Sequence, residues 1–450
     1  MNFKKLMATL LSIGFALPVF AQNKFASKVD SLVGAYAAIQ EFNGSVLVAR
    51  KGKILLAKGS GYSDQGLKRL NTDSTIFSIA SVTKTFTSAM ILKLVEEHKL
   101  HLDDKITKFY PEYKNGAHIS IANLLNHTSG IDDRKIEEKQ EKYDKKVLSR
   151  EQILLAELNG TEPGSAPGLS FNYSNRGYYL LGNIIAKVTN MTYEQAIRKY
   201  ILTAYGLKNT GFDFAGLRKS DKAKGYWAET GKNYNKETPL MDSAGTYSAG
   251  AIYSNIFDLY KWHQILEKYK FISRKSRELA YKPYTKTYGY GWIIDSLQGK
   301  RRVSHSGGVW GFRSNFSRIA DDDVVVILLS NYEVPGLDMV AKGIISILYG
   351  KPYYLPFKKK PIHLEPVQLL KYVGTYEILE SHLILEVKLE NGKLVVFPKN
   401  GNRSDLLPES ENRFFGENEE GLDLIFTKKA DKEIITIIMG ETTRVAIKQD

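Results

Sequence analysis

The chain has 450 residues, 43% hydrophobic and 25% charged, a balance that suits a soluble globular protein of two to three domains. Its formal charge of +14 is spread along the chain apart from Lys358-Lys359-Lys360; it fits a solvated surface and comes with no nucleic-acid motif. There is no cysteine, which excludes a thiol nucleophile, thiolate metal sites, disulfides and a lipid-modified cysteine.

In chain order, the first residues carry Lys4 and Lys5, an apolar run, then Val19-Phe20-Ala21. This is the layout of a secretory signal over residues 1–21, so export to the periplasm or the medium is expected. No later stretch reaches the roughly 18 apolar residues of a membrane-spanning helix. Residues 23–40 read as an amphipathic helix. "GSVLVARKGKILLAKGSGYSD" reads as a hairpin turning at Lys51-Gly52-Lys53. An extended stretch then gives way to a helix at "SIASVTKTFTSAMILKLVEEH", with Ser81 and Lys84 at the change.

From about 120 to 270 the apolar spacing is mostly helical. "RRVSHSGG", "FRSNFSRIA" and "DDDVVVILLSN" read as consecutive strands, and "GLDMVAKGIISILYG" as a closing helix. Strands at both ends with helices between predict an α+β fold. One antiparallel sheet is built from both ends and flanked by helices, with a helical subdomain inserted. "YLPFKKKPIHLEP" reads as a linker. Residues 362–450 read as a separate small antiparallel β domain, barrel-like, opening on a hairpin whose Asn391-Gly392 suits a primed turn. The main domain spans 22–355.

Three residues apart on a helix, Ser81 and Lys84 project from one face. A lysine whose proton affinity is lowered by burial or a neighbouring cation can take the serine proton. A serine at a helix N-terminus also gains from the dipole and can offer its own N–H to an oxyanion. The alternative is an N-terminal serine beside a surface lysine, and the pair alone leaves both open.

The remaining motifs bear on that choice. "FNYSNRGYYLLGNII" and "HSGGVWGF" follow Ser81-Val82-Thr83-Lys84 in that order. With "LLNHTSGI", "GLKNTGF" and "AGAIYSNIFDLYKW", they resemble the serine β-lactamase and penicillin-binding protein superfamily, in its class C branch with related esterases and D-stereospecific peptidases. The likeness covers roughly residues 30–350. It implies that Ser81 is the acylated nucleophile and Lys84 its general base. Tyr173 would be the phenolate or shared-proton partner that activates water. Asn175 would hydrogen-bond the substrate amide.

Tyr-x-Asn also occurs at Tyr113 and Tyr253, and the turn into an apolar helix favours Tyr173. Where penicillin-recognising members have Lys-Thr-Gly, this chain has His305-Ser306-Gly307, with Gly308 in the position whose N–H would complete the oxyanion hole. A histidine is mostly neutral near pH 7, so a fixed cation for a substrate carboxylate is not expected. The preference moves to peptidase or esterase activity.

The expected function is an exported serine hydrolase on small amides or esters, of the D-Ala-D-Ala carboxypeptidase, D-stereospecific peptidase or esterase kind. Its substrate is a small molecule or a peptidoglycan-derived peptide. A β-lactamase or a non-turnover penicillin-binding sensor is the alternative. No cofactor or metal is expected; His98 and His101 lack a third ligand. No Gly-x-Ser-x-Gly elbow occurs. His127 reads as structural, and Tyr247, Trp292 and Trp310 as either pocket or core.

Overall fold

The structure, a computed structural model, describes residues 24–139, 149–228, 233–239, 243–356, 360–398, 401, 403–417, 422–429, 432–439 and 442–449. The leader read in residues 1–21 lies outside them. The chain divides into two compact units, Met1–Lys351 and Pro352–Asp450.

The first unit is built on a six-stranded antiparallel sheet. After helix α1 (24–38) come β1 (Gly44–Arg50) and β2 (Lys53–Ser60). Their turn places Lys51 at φ 50° and Gly52 at φ 72°, the left-handed pair that a two-residue hairpin needs. Helix α2 (Thr83–Glu96) follows, then a helical stretch that includes α3 (Asn175–Thr189) and α4 (Ile256–Glu267). The chain returns through β3 (Ile293–Leu297), β4 (Lys300–Val309), β5 (Phe312–Ile319) and β6 (Val324–Ser330), and α5 (Asp338–Leu348) closes it.

The strand order is β2-β1-β6-β5-β4-β3. Gly44 pairs with Ser330 and Arg50 with Val324, so the two ends of the segment meet at the centre of the sheet. Every residue of β6, "VVVILLS", is buried, as a strand covered on both faces requires. Val325, Ile327 and Leu329 join the core that holds α2 and α4. The other face is covered by α1 and α5, which approach so closely that a Cβ on Gly343 would lie 2.8 Å from the Leu32 side chain.

The second unit is a closed antiparallel barrel of eight strands: β7 (Gly374–Ile378), β8 (Ile384–Glu390), β9 (Lys393–Pro398), β10 (Ser404–Pro408), β11 (Arg413–Gly416), β12 (Leu422–Lys429), β13 (Lys432–Met439) and β14 (Thr442–Lys448). The expected α+β sheet and the barrel are both present. Among the described residues no helix is long and apolar enough to cross a membrane.

Candidate active site

Extended Phe77–Ser78 pairs with Tyr253–Ser254, and the chain then makes one tight helical turn, Ala80–Val82, before α2 begins. Ala80 is forced to φ +43°, a conformation that costs a residue with a Cβ about 1–3 kcal/mol. The strain is held from both sides. The Ile79 N–H donates to the Ile252 carbonyl at 3.0 Å, and the Ser314 hydroxyl donates to the Ile79 carbonyl at 2.8 Å. The kink sets Ser81 in the first helical turn, where backbone N–H groups lack an intrahelical acceptor.

Lys84, one turn on, is fully buried. Its Nζ lies 3.0 Å from Ser81 Oγ, 2.8 Å from Asn175 Oδ1 and 3.0 Å from the Ala249 carbonyl. Only the serine among these three carries a proton to give. A neutral amine therefore donates its two N–H bonds to Asn175 and Ala249 and turns its lone pair to the Ser81 hydroxyl. Burial lowers the Lys84 pKa to about 7, against the opposing pull of the Asp133 charge. Both conditions for the amine to act as a base at neutral pH are thus met.

Asn175 opens α3, and its neighbours are fixed by Asp133. That carboxylate accepts from the Ser174 hydroxyl at 2.7 Å and from the backbone N–H groups of Asn175 at 2.7 Å and Arg176 at 3.4 Å, where a helix N-terminus favours negative charge. Burial raises the Asp133 pKa above the usual carboxylate value, with these hydrogen bonds and Arg176 opposing. Tyr173 precedes the cap. Its ring is 36% exposed, and its face lies 4.8 Å from Lys84 Nζ. Desolvation raises the pKa of its hydroxyl above that of an ordinary phenol, although a hydrogen bond with Ser81 pulls the other way. Tyr173 is therefore a neutral phenol rather than a phenolate near pH 7.

The third wall is β4. It pairs with β3 only as far as Ser304, so from His305 onward one edge is free. Counting from the closing Val309–Phe312 pair, Gly308–Arg313 is the non-hydrogen-bonded kind of antiparallel pair, which directs the Gly308 N–H to that free edge. A Cβ on Gly307 would lie 3.0 Å from the Ser81 nitrogen and 2.4 Å from the Ile79 carbonyl, so only glycine permits this approach. Ser306 is exposed along the same edge.

His305 itself is 2% exposed and does not face solvent. Its Nδ1 lies 2.6 Å from the Ser306 carbonyl and its Nε2 2.8 Å from the Tyr288 hydroxyl. That hydroxyl is also 3.2 Å from His127 Nε2, while His127 Nδ1 accepts the Ser174 N–H at 3.1 Å. The pattern fixes every proton: His127 Nε2–H donates to Tyr288, Tyr288 donates to His305 Nε2, and His305 Nδ1–H donates to Ser306. Both rings are neutral. Burial lowers the His305 pKa to about 3 and also lowers that of His127, and the Lys84 charge acts in the same direction on each.

A family model described as Beta-lactamase matches residues 29–347. The chain is 31% identical to penicillin-binding protein 4* of Bacillus subtilis over 88% of this chain and 92% of that one. The chain belongs to the beta-lactamase family.

It is also 30% identical to a teichoic acid D-alanine hydrolase of Staphylococcus aureus, over 64% of this chain and 70% of that one. An octameric penicillin-binding protein homologue from Pyrococcus abyssi superposes with a TM-score of 0.68 at 26% identity, covering 93% of this chain and 99% of that one. As a member of this family the protein is a serine hydrolase.

The structure brings Ser81, Lys84 and Asn175 into direct contact, sets Tyr173 over Lys84, and lines Gly307 and Gly308 along the free edge. The rival Tyr-x-Asn matches lie elsewhere: Tyr113 and Tyr253 are buried, and Asn255 caps α4 through the Asp258 N–H. Trp292 is core, packed on Tyr281 and Phe316, whereas Trp310 is exposed. Asp133 and Tyr288 carry no local motif and were not legible before folding.

Among the described residues, His263, Glu267 and Asp323 approach one another as metal ligands would. Arg318 already lies among them, donating to His263 at 3.0 Å and to Glu267 at 2.8 Å, so the place of a cation is taken.

Proposed function

We propose that the protein is an exported hydrolase that removes D-alanyl groups from uncharged esters or amides through an acyl-enzyme on Ser81. The observation that carries this reading is the fully buried Lys84 amine, 3.0 Å from the Ser81 hydroxyl. In the acylation step Ser81 Oγ attacks the carbonyl carbon as its proton passes to Lys84. The N–H groups of Ser81 and Gly308 are placed to receive the oxyanion. Tyr173, as a neutral phenol between Ser81 and the solvent, passes the proton to the leaving oxygen or nitrogen. Asn175 orients Lys84 and the substrate amide. Water, deprotonated by the same lysine, then releases the acid.

The preference for an uncharged leaving group rests on β4. His305 is neutral and faces inward. The nearest guanidinium to Gly308, that of Arg313, is engaged by Glu333 and by the Val309, Phe312 and Val334 carbonyls. Among the described residues a substrate carboxylate therefore meets no free guanidinium beside Gly308, which ranks D-alanyl esters and amides above a D-Ala-D-Ala terminus or a penicillin. The relative named as a teichoic acid D-alanine hydrolase supports the same class, and the leader-like residues 1–21 support export.

The test is intact mass after a serine-directed phosphonate, on the protein and on Ser81→Ala. It is followed by turnover of a D-alanyl ester, its L-isomer, a D-Ala-D-Ala peptide and a penicillin. An adduct absent from Ser81→Ala, with the D-alanyl ester turned over fastest, is expected. An adduct equal in both proteins removes Ser81 as the nucleophile, and stable acylation without turnover makes the protein a binding protein.

A further inference from the structure

The barrel unit contains a second place where chemistry is concentrated. Closure leaves no ladder edge, and an eight-stranded barrel is either filled by its own side chains or holds one small ligand. Strand register tells which residues face inward: Val396 pairs with Ser404, Leu424 with Ile437, and Ile437 with Arg444.

One end of the interior is filled. Tyr372 packs on Phe426 at a tilt with ring centres 4.4 Å apart, and Phe414 meets Phe426 edge-on at 5.5 Å. The other end is not. It holds an open cavity of about 640 Å³ with an apolar side of Ile378, Leu385, Val396, Leu424 and Ile437, a polar side of Arg403, Ser404, Asp405 and Arg444, and the half-exposed Met439 on its lining. The size is that of a small-molecule site.

The charges on β14 point to the kind of guest. Its inward face carries two cations. Lys448 is matched by Glu433 on the neighbouring strand. Arg444 stands opposite Ile437 and has no ion-pair or hydrogen-bond partner among the described residues. The other arginine of the lining, Arg403, is held by Glu390 and Asp405, each at 2.6 Å. The apolar side of the cavity thus lies beside Arg444, the one guanidinium of its lining without a partner among the described residues.

We propose that the barrel binds a single-chain anionic amphiphile, its alkyl chain in the cavity and its head group on Arg444. The guanidinium fits a carboxylate or a phosphate in bidentate fashion, and the cavity wall takes the chain by the hydrophobic effect.

Titration calorimetry of the full chain with sodium octanoate, decanoate and dodecanoate, below their micelle concentrations, tests this. One site per chain is expected, tightening about fourfold per added methylene, the factor that burial of one methylene gives. Dodecyltrimethylammonium should bind at least tenfold more weakly than dodecanoate, and Arg444→Met should erase that difference. Dodecyl phosphate separates the two head groups: equal or tighter binding than dodecanoate assigns the site to phosphate.

Met439→Trp closes the mouth at a side chain that is half exposed, and Val396→Phe fills the interior. Either, with an unchanged melting curve, should abolish binding. The proposal is overturned by absence of saturable heat, by affinity independent of chain length, or by binding that survives both filling variants. A head-group preference that survives Arg444→Met overturns the anion site.

Discussion

If Lys84 is the base, as proposed, one buried amine ties the working pH to a stability cost. Below pH 7 the amine is protonated and cannot accept the Ser81 proton, so kcat/KM should rise about tenfold per pH unit up to about pH 7 and level off above it. A profile that stayed flat down to pH 5 would remove Lys84 as the base. The same shift has a thermodynamic sign. The folded-state pKa of about 7 lies below the 10.5 of the unfolded chain, so the unfolded state binds more protons between these values and stability rises with pH across that window. Lys84→Met removes this term. The variant should be inactive yet more stable than the parent at pH 7, with a ceiling of about 5 kcal/mol at 1.36 kcal/mol per unit, less what Asn175 and Ala249 lose. The advantage should shrink towards pH 10 in denaturant midpoints taken at both pH values.

At the scale of elements, the site depends on contacts that hold α3 and β4 in register. Asp133→Asn takes a negative charge from beside Lys84 and an acceptor from the N-terminus of α3. It should cost about 1 kcal/mol and move the acid limb of the rate profile to lower pH, because that charge raises the Lys84 pKa. A limb moving upward would contradict this sign. Tyr288→Phe leaves His305 Nε2 and the His127 Nε2–H without partners in a buried place. Urea unfolding should show a loss of about 1–3 kcal/mol.

These elements also show where sequence reading stops. The turns at Lys51-Gly52 and Asn391-Gly392 were legible because left-handed conformations demand particular residues locally. Ser81 and Lys84 were legible because helical spacing alone places them together. The strand Ile293–Leu297 was missed: it is a short edge strand with a broken burial pattern, too brief to declare a period. Asp133 meets Asn175 across 42 residues, and Tyr288 meets His127 across 161. Pairings of that range arise from the fold, not from any neighbourhood in the chain.

At the scale of the whole molecule, the two units keep separate apolar cores. Phe426→Ala, which empties the centre of the barrel's aromatic cluster, should cost that unit about 3–5 kcal/mol while leaving the rate of Ser81 phosphonylation unchanged. Calorimetry paired with the mass-spectrometric rate would check both halves.

The pairing of Gly44 with Ser330 has a kinetic meaning as well. Closing a loop of that length carries an entropic cost, and Ser81 and Gly308, whose amides are proposed to receive the oxyanion, lie towards its two ends. A chain that is collapsed and helical but not yet closed across β1 and β6 has its serine and its lysine, and no hole to receive an oxyanion. Reactivity at Ser81 should therefore report this closure: during refolding, phosphonylation is expected to appear together with the pairing of β1 and β6, and phosphonylation at full rate before that pairing would contradict it.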